Sequence, residues 1–329
     1  MPCRVVFTAK QKVVLEQVAL AEPQSGEVRV RSMYSLMSTG TENIVFNQLY
    51  EPGSHWDRWV KHPFYPGYSL VGEVEAVGAN VTSLKVGDRV VARAGHGSHQ
   101  IKPADQLGKV PAGVNPKDAA WFALAKIAAM GAKAAEYKLG DDVLIIGAGP
   151  IGQMTLRWAR AAGAESITVV DPVSMRLELA TRGGATTVIS APIDKATDEV
   201  KAAHNGQLPR LVIDTTGNEH VFVSALALAA RFGRVLVVGD TGSPTRQHLT
   251  SDVITRGITV VGAHDGLEDG AWNAQRIYRL FFNMVKSGRF DLTGLITHTF
   301  APNDVQKAYE IANTRRGETM GIVFDWTQL

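Results

Sequence analysis

The run Val143-Leu144-Ile145-Ile146 leads directly into Gly147-Ala148-Gly149-Pro150-Ile151-Gly152, and this junction constrains the chain more than any other stretch. A short apolar run followed by glycines at the first, third and sixth places predicts a strand, a tight turn and a helix, here Gln153 to Ala162. The next apolar run, Ser166–Val170, ends at Asp171, nineteen residues after Gly152. Each position has a physical role. Gly147 admits the tight turn, Gly149 lets a ligand approach bare backbone, and Gly152 lets the helix close on the strand. The helix N-terminus offers free N–H groups and partial positive charge, which suit a diphosphate. Asp171 can accept hydrogen bonds from ribose hydroxyls and would repel a 2′-phosphate. The pattern therefore predicts a dinucleotide site for NAD, with Arg176 leaving NADP open. The glycines alone would also serve a plain strand–helix turn; strand, helix and acid together at this spacing favour the ligand.

Further apolar runs continue the pattern: Thr187–Ile189, Leu211–Asp214, Val235–Val238 and Ile258–Val261, with helical stretches at Met175–Arg182 and Glu219–Ala230. Such alternation indicates a buried parallel sheet. Thr215-Thr216-Gly217 and Gly239-Asp240-Thr241-Gly242 follow two of these runs, where ligands bind in such sheets. The candidate cofactor contacts are Gly147, Gly149, Pro150, Ile151, Gly152, Asp171, Arg176, Thr216 and Gly239. The first third reads differently. Arg4–Phe7, Val13–Leu20, Glu27–Met33, Val71–Val77 and Arg89–Ala92 are short strands among glycine turns, as in a small barrel or sandwich. Pro116–Glu136, Trp272–Ser287 and Asn303–Asn313 read as helices, and Met320–Trp326 as a last strand.

The length, 329 residues, suits two domains. The expected class is α/β, a β-rich substrate domain over 1–120 and 266–329 and a doubly wound parallel-sheet cofactor domain over 121–265. A formal charge of +2 without a dense basic block argues against a nucleic-acid partner. Arg315-Arg316 reads as a solvated helix end. Cys3 is the sole cysteine, which excludes an intramolecular disulfide and any zinc site of two or more thiolates. Met1–Lys12 lacks an apolar signal-peptide core, and no apolar run nears the roughly 18 residues of a membrane span. A soluble cytoplasmic protein with no membrane partner is expected.

With a barrel-like front, a dinucleotide unit and a returning C-terminus, the chain resembles the medium-chain dehydrogenase/reductase superfamily over almost its whole length. The motifs are Ser38-Thr39-Gly40-Thr41-Glu42, Pro66-Gly67-Tyr68-Ser69-Leu70-Val71-Gly72, Val86-Gly87-Asp88-Arg89-Val90, Gly147–Gly152 and Leu295-Ile296-Thr297-His298. The stretch Gly53 to Pro66 is similar to that of polyol and sorbitol dehydrogenases. Ser38–Glu42, Pro66–Tyr68 and Met320–Trp326 also resemble the dehydrogenases that oxidise a hydroxyethyl group on bacteriochlorophyllide. The resemblance implies a GroES-like substrate domain and a Rossmann cofactor domain. It places the catalytic zinc ligands of the family on Thr39, Tyr68 and near Leu124, with Ser69 in place of the Glu after the His. These side chains offer neither thiolate nor imidazole, so no zinc is expected. A carboxylate/His metal site of another kind stays open.

Without zinc, a side chain must manage charge on the substrate oxygen. Tyr68 could donate from the old metal pocket, or pack and bond backbone. Lys126 interrupts an apolar helix; desolvated near the nicotinamide it could be an acid or base, or it could face solvent. By the resemblance Thr41 falls on a relay hydroxyl and Glu42 on the adjacent acid, which could orient Tyr68 or Lys126 or bond backbone. The relay's usual His is Ile44. His55, His62, His96 and His99 are alternatives for acid–base work. Trp56, Trp59 and Phe64 could line a pocket for a ring-shaped ligand or plug a loop. The expected activity is NAD(P)-dependent hydride transfer on a secondary alcohol or ketone (a polyol, sugar derivative or ring-bearing compound). A zinc-free enone or quinone reductase and a non-catalytic NAD(H) sensor are the alternatives. The run Ile258–Val261, last in the sheet, is expected to pair with a second copy in a homodimer or homotetramer.

Overall fold

The computed structural model describes residues 1–329. In the first third, β1 (Cys3–Ala9) and β2 (Lys12–Gln17) form an antiparallel ribbon. There follow β3 (Glu27–Leu36), α1 (Thr39–Asn47), α2 (His55–Trp59), β4 (Leu70–Val77), β5 (Arg89–Ala92), β6 (His99–Pro103) and β7 (Gly108–Lys109). Next come α3 (Pro116–Ala119), α4 (Phe122–Ala135), β8 (Asp142–Ile146), α5 (Pro150–Ala161), β9 (Ser166–Val170), α6 (Ser174–Gly183) and β10 (Thr187–Ile189). The middle part ends with α7 (Thr197–Ala203), β11 (Leu211–Asp214), α8 (Glu219–Leu228), β12 (Arg234–Val237), α9 (Asp252–Arg256) and β13 (Thr259–Gly262). The chain returns through α10 (Ala274–Lys286), β14 (Ile296–Phe300), α11 (Val305–Thr314) and β15 (Gly321–Asp325).

Six strands make an all-parallel sheet in the order β10-β9-β8-β11-β12-β13. The β-branched residues of the inner strands β9, β8 and β11 are buried, as a sheet covered by helices on both faces requires. The strand order reverses between β8 and β11, and in such sheets the crevice at that reversal is where a ligand binds. The other large sheet runs β14-β15-β3-β4-β5-β7, with β6 on β3. Its last two members come from the far end of the chain: Val323 of β15 pairs with Leu36 of β3. A core around Trp121, Phe122, Trp158, Tyr278 and Phe281 joins the two sheets through α4, α5 and α10. No helix is long and apolar enough to cross a membrane.

The structure departs from the sequence expectations at identifiable places. The front region is not all β, since Ser38 starts α1 and Ser54 caps α2 by accepting from Asp57 N–H. The expected helix Pro116–Glu136 is two helices. At the break the Ala120 carbonyl accepts from the Ser69 hydroxyl at 2.5 Å, and Trp121 is fully buried as a wedge. The strand expected over Val13–Leu20 stops at Gln17, and β14 forms where only a motif was visible.

Candidate active site

The glycine turn at the head of β8 is built by three different constraints. Gly147 has φ +93°, and a Cβ there would stand 2.7 Å from Thr216 Cγ2 and 2.8 Å from Thr215 Oγ1. At Gly152 a Cβ would stand 2.0 Å from the Gly147 carbonyl oxygen, so only glycine lets α5 pack so close. Around Gly149 a Cβ would meet nothing within 4 Å. That residue is the N-cap of α5 with no side-chain cap, and Pro150 fills the first helical position. Two glycines thus make the turn, and the third fronts open space before an uncapped helix end. This cradle fits a diphosphate.

Asp171 does more than the sequence suggests. Its Oδ2 accepts from Ala148 N–H at 2.8 Å and its Oδ1 from Val173 N–H at 2.8 Å. The acid therefore fixes the glycine turn while standing at the carboxyl end of β9. Arg176 lies 3.7 Å from it and donates to the Arg316 backbone carbonyl at 2.7 Å, while Arg315 and Arg316 themselves stay exposed. Ile151 packs into the core beside the turn. Thr216 donates to Asp214 Oδ1 from both N–H and hydroxyl, and burial pushes the Asp214 carboxyl up. At Gly239 a Cβ would fall 2.2 Å from Gly217 N, so this glycine lets two loops touch.

A second cluster forms where α1, the turn before β4, the end of β5 and the loop after β13 meet. The Tyr68 hydroxyl hydrogen-bonds Ser38 Oγ, and the Arg93 guanidinium carbon sits 4.3 Å from the Tyr68 ring centroid. Burial raises the Tyr68 phenol, while the Ser38 bond, the Arg93 charge and the Thr41 hydroxyl pull it back. The net direction is upward, so the phenol is a neutral donor at neutral pH. Arg93 Nη2 reaches Asp265 Oδ2 at 2.5 Å. Lys126 is 4% exposed and does not face solvent. Its ammonium meets Asp265 O and Oδ1, each at 2.8 Å, and Glu268 Oε1 at 2.6 Å. Two hydrogen bonds to Asp265 and one close ion pair with Glu268 hold the ammonium.

Glu42 hydrogen-bonds neither Tyr68 nor Lys126, contrary to one expectation. It accepts from Ser38 N–H at 2.7 Å, from the Tyr309 hydroxyl at 2.5 Å, and lies 3.1 Å from His96 Nε2. His96 Nδ1 reaches Ser35 Oγ at 2.7 Å, and Trp326 Nε1 donates to the same hydroxyl at 2.8 Å. A buried carboxylate needs such partners. Glu42 thus touches the phenol only through Ser38. His96, one of four candidate histidines, is locked in this network, and Gly67 is forced by it, since a Cβ there would stand 2.7 Å from the His96 ring. Among the other three, His55 pairs with Asp240 at 2.9 Å and His99 lies 3.8 Å from Glu75. Sequence reasoning missed Arg93, Asp265, Ser38 and Tyr309; the run Val86–Val90 was visible, but nothing in it singles out Arg93.

The aromatic segment divides. Trp56 is buried and donates to the Thr241 carbonyl at 3.0 Å, tying α2 to the loop after β12. Trp59 and Tyr65 are exposed, and Phe64 packs on Trp59 and Phe7. Thr39, Tyr68, Ser69 and Leu124 supply no thiolate, imidazole or carboxylate, so this donor set does not fit zinc. No group of three or more His, Cys, Asp or Glu side chains converges elsewhere.

Comparison with known proteins agrees with this architecture. Residues 24–114 match the alcohol dehydrogenase GroES-like domain, and residues 150–276 match a family described as zinc-binding dehydrogenase. The L-threonine 3-dehydrogenase of Caldanaerobacter subterraneus is 30% identical over 78% of this chain and 82% of its own length. The 2R,3R-butanediol dehydrogenase of Bacillus subtilis superposes with a TM-score of 0.83 at 19% identity, covering 99% of both chains. A structure described as a short chain alcohol dehydrogenase from E. coli with cofactor NADH gives 0.81 at 20% identity, over 98% of this chain and 99% of that one. The chain belongs to the medium-chain dehydrogenase/reductase superfamily. It is an NAD(P)-dependent oxidoreductase acting on CH–OH groups.

Proposed function

We propose that this enzyme interconverts a secondary alcohol and its ketone with NAD and without catalytic zinc, using Tyr68 to manage the substrate oxygen. One observation carries the reading. A phenol stands where the resemblance puts a metal-ligating His, and it is bonded to a hydroxyl and covered by a cation. When bound, the nicotinamide supplies the hydride acceptor or donor. The glycine turn and the α5 N-terminus would hold its diphosphate, and Asp171, already braced by two backbone N–H groups, would take the ribose hydroxyls. The carboxylate disfavours a 2′-phosphate, which supports NAD over NADP.

In ketone reduction the neutral Tyr68 Oη donates its proton to the substrate oxygen, and Ser38 Oγ restores it. In oxidation the alcohol proton passes to Tyr68 Oη as the phenol proton passes to Ser38. Thr41, half-buried beside them, connects the relay to solvent. Lys126, bonded twice to Asp265 and paired with Glu268, anchors the Asp265 loop instead of exchanging protons. The substrate class is a polyol, sugar derivative or ring-bearing secondary alcohol, supported by the polar hydroxyl cluster and the exposed Trp59 and Tyr65 nearby in sequence. The proposed domains are 1–120 with 266–329, and 121–265. β13 lies at the sheet edge, which supports a homodimer or homotetramer.

Absorbance of reduced nicotinamide tests this on a panel of polyols, cyclic and aromatic secondary alcohols, L-threonine and 2,3-butanediol, with and without chelator. Turnover on a secondary alcohol that survives chelation is expected. Turnover on enones alone would favour a C=C reductase, and tight NAD binding without any turnover a sensor.

A further inference from the structure

Arg93 enters none of the motifs above, yet its surroundings are unusual. The guanidinium lies over the Tyr68 ring, 4.3 Å from Cζ to the centroid. Its Nη2 is tied to Asp265 Oδ2 at 2.5 Å, while its Nη1 is buried with no hydrogen-bond partner. Asp265 is itself held by Lys126 from α4, through both its carbonyl and its second carboxylate oxygen. The chain of contacts therefore runs from α4 to the loop after β13, to the end of β5, to the phenol. A planar cation stacks on an aromatic face where a lysine ammonium would not.

We propose that Arg93 is a positioning residue for Tyr68: clamped by the Asp265–Lys126 pair, it fixes the ring plane and stabilises negative charge that develops on the phenol as the substrate proton moves. The assignment rests on the reading of Tyr68 as the proton-handling group. The physical basis is that a phenolate spreads its charge into the ring, so a guanidinium on the ring face favours phenolate over phenol. The unpartnered Nη1 leaves one edge of the cation uncompensated by hydrogen bonds, while Asp265 balances the other. The charged groups around the phenol are few. Arg93 lowers its pKa and Glu42 raises it from behind Ser38. Asp265, Lys126 and Glu268 stand behind Arg93, and His96 is bound to Glu42. Tyr278, whose phenol burial also raises and the Arg93 charge lowers, shares the same cation.

The test labels the seven tyrosines with 3-fluorotyrosine, which brings phenol titration to lower pH, and follows them by fluorine NMR in the full-length protein. The Tyr68 signal is the one lost in Y68F. In R93Q its midpoint is expected to rise by about 1 pH unit, as for loss of a cation within contact distance. R93K keeps a charge without the stacked plane and is expected to recover less than half of that shift. In the alcohol assay R93Q lowers kcat more than it changes KM. A Tyr68 midpoint unchanged in folded R93Q overturns the role of Arg93, even where Y68F has lost turnover. Full turnover by Y68F overturns the reading of the site itself, whatever the midpoint does. If R93Q does not fold, the R93K midpoint decides, and no rise there overturns the proposal.

Discussion

The glycine turn at residues 147–152 and the hydroxyl cluster around Tyr68 solve two problems with opposite materials. The turn works with backbone: two glycines are required by contacts of 2.0 Å and 2.7 Å that a Cβ would make, and the third by the space it leaves. All of it lies within one strand, one loop and one helix. The cluster works with side chains from residues 38, 68, 93, 126 and 265, brought together from five separate segments. A backbone site announces itself by spacing; a side-chain site of this kind has no spacing to announce.

That contrast can be broken most sharply within the turn. Gly152→Val drives a side chain into the Gly147 carbonyl, and overpacking there is expected to remove about 3 kcal/mol of stability and abolish NAD binding. Gly149→Ala adds its methyl where nothing stands within 4 Å. Its stability should stay within about 0.5 kcal/mol of the parent while NAD affinity falls at least about tenfold. Calorimetric binding and thermal unfolding of the two proteins give both numbers; equal destabilisation would mean the open face at Gly149 is not reserved for a ligand.

In the cluster, Tyr68→Phe removes one oxygen and is expected to lower kcat by at least about tenfold with KM little changed. Steady-state kinetics on any alcohol found active decides it, and unaltered kcat would break the comparison by leaving the second region without chemistry. Behind the cluster, Glu42→Gln keeps the shape but removes the charge that Ser38 N–H, Tyr309 and His96 serve. Burial and the Glu42 charge hold the Tyr309 phenol far up, so it remains a donor. A cost of about 2 kcal/mol in denaturant unfolding is expected. A cost near zero would show that the network does not brace α1.

The smallest effect belongs to a pair at the other end of the parallel sheet. Asp141 is 6% exposed and bonds Arg210. Burial raises its carboxyl, but the Arg210 contact and the Lys138 N–H outweigh this and leave it below the usual range. A depressed carboxyl contributes stability above its unfolded pKa and loses it as pH falls through the folded value. Asp141→Asn should therefore cost about 1 kcal/mol at neutral pH, and the gap between the two proteins should close on acidification. Turnover should be unchanged. A gap that persists below the carboxylate range would point to packing, not charge.

How much was legible follows the same division. The six parallel strands were readable because each is a short apolar run between helix formers. The acid at 171 was readable by its distance from the turn, though not its second role of holding Ala148 N–H. The front region was harder. Helix α1 begins inside a motif, not an apolar period, and the break before Trp121 depends on a hydroxyl from Ser69, 51 positions earlier. Tyr68, Lys126, Thr41 and Glu42 were visible as candidates, but their partners were not. Lys126 could be read as a desolvated acid or base or as a solvent-facing residue, and is instead buried beside Asp265 and Glu268; Glu42 could be read as a guide for Tyr68 or Lys126 or as bonding backbone, and it bonds the Ser38 N–H together with His96 and Tyr309.

The sequence by itself determined the parallel sheet, the glycine turn and the acid that follows it, because strand period, helix capping and the lack of a Cβ are properties of neighbouring residues. Taken with the resemblance, it also carried the expectation that the usual zinc donors are missing, since Thr39, Tyr68 and Leu124 are of the wrong type. Only the tertiary structure decided that Arg93 covers Tyr68, that Asp265 joins Arg93 to Lys126, and that β15 completes the seven-stranded sheet against β3. Those contacts depend on loops closing over long stretches of chain, and a side chain's partners across such distances are fixed by packing rather than by local order.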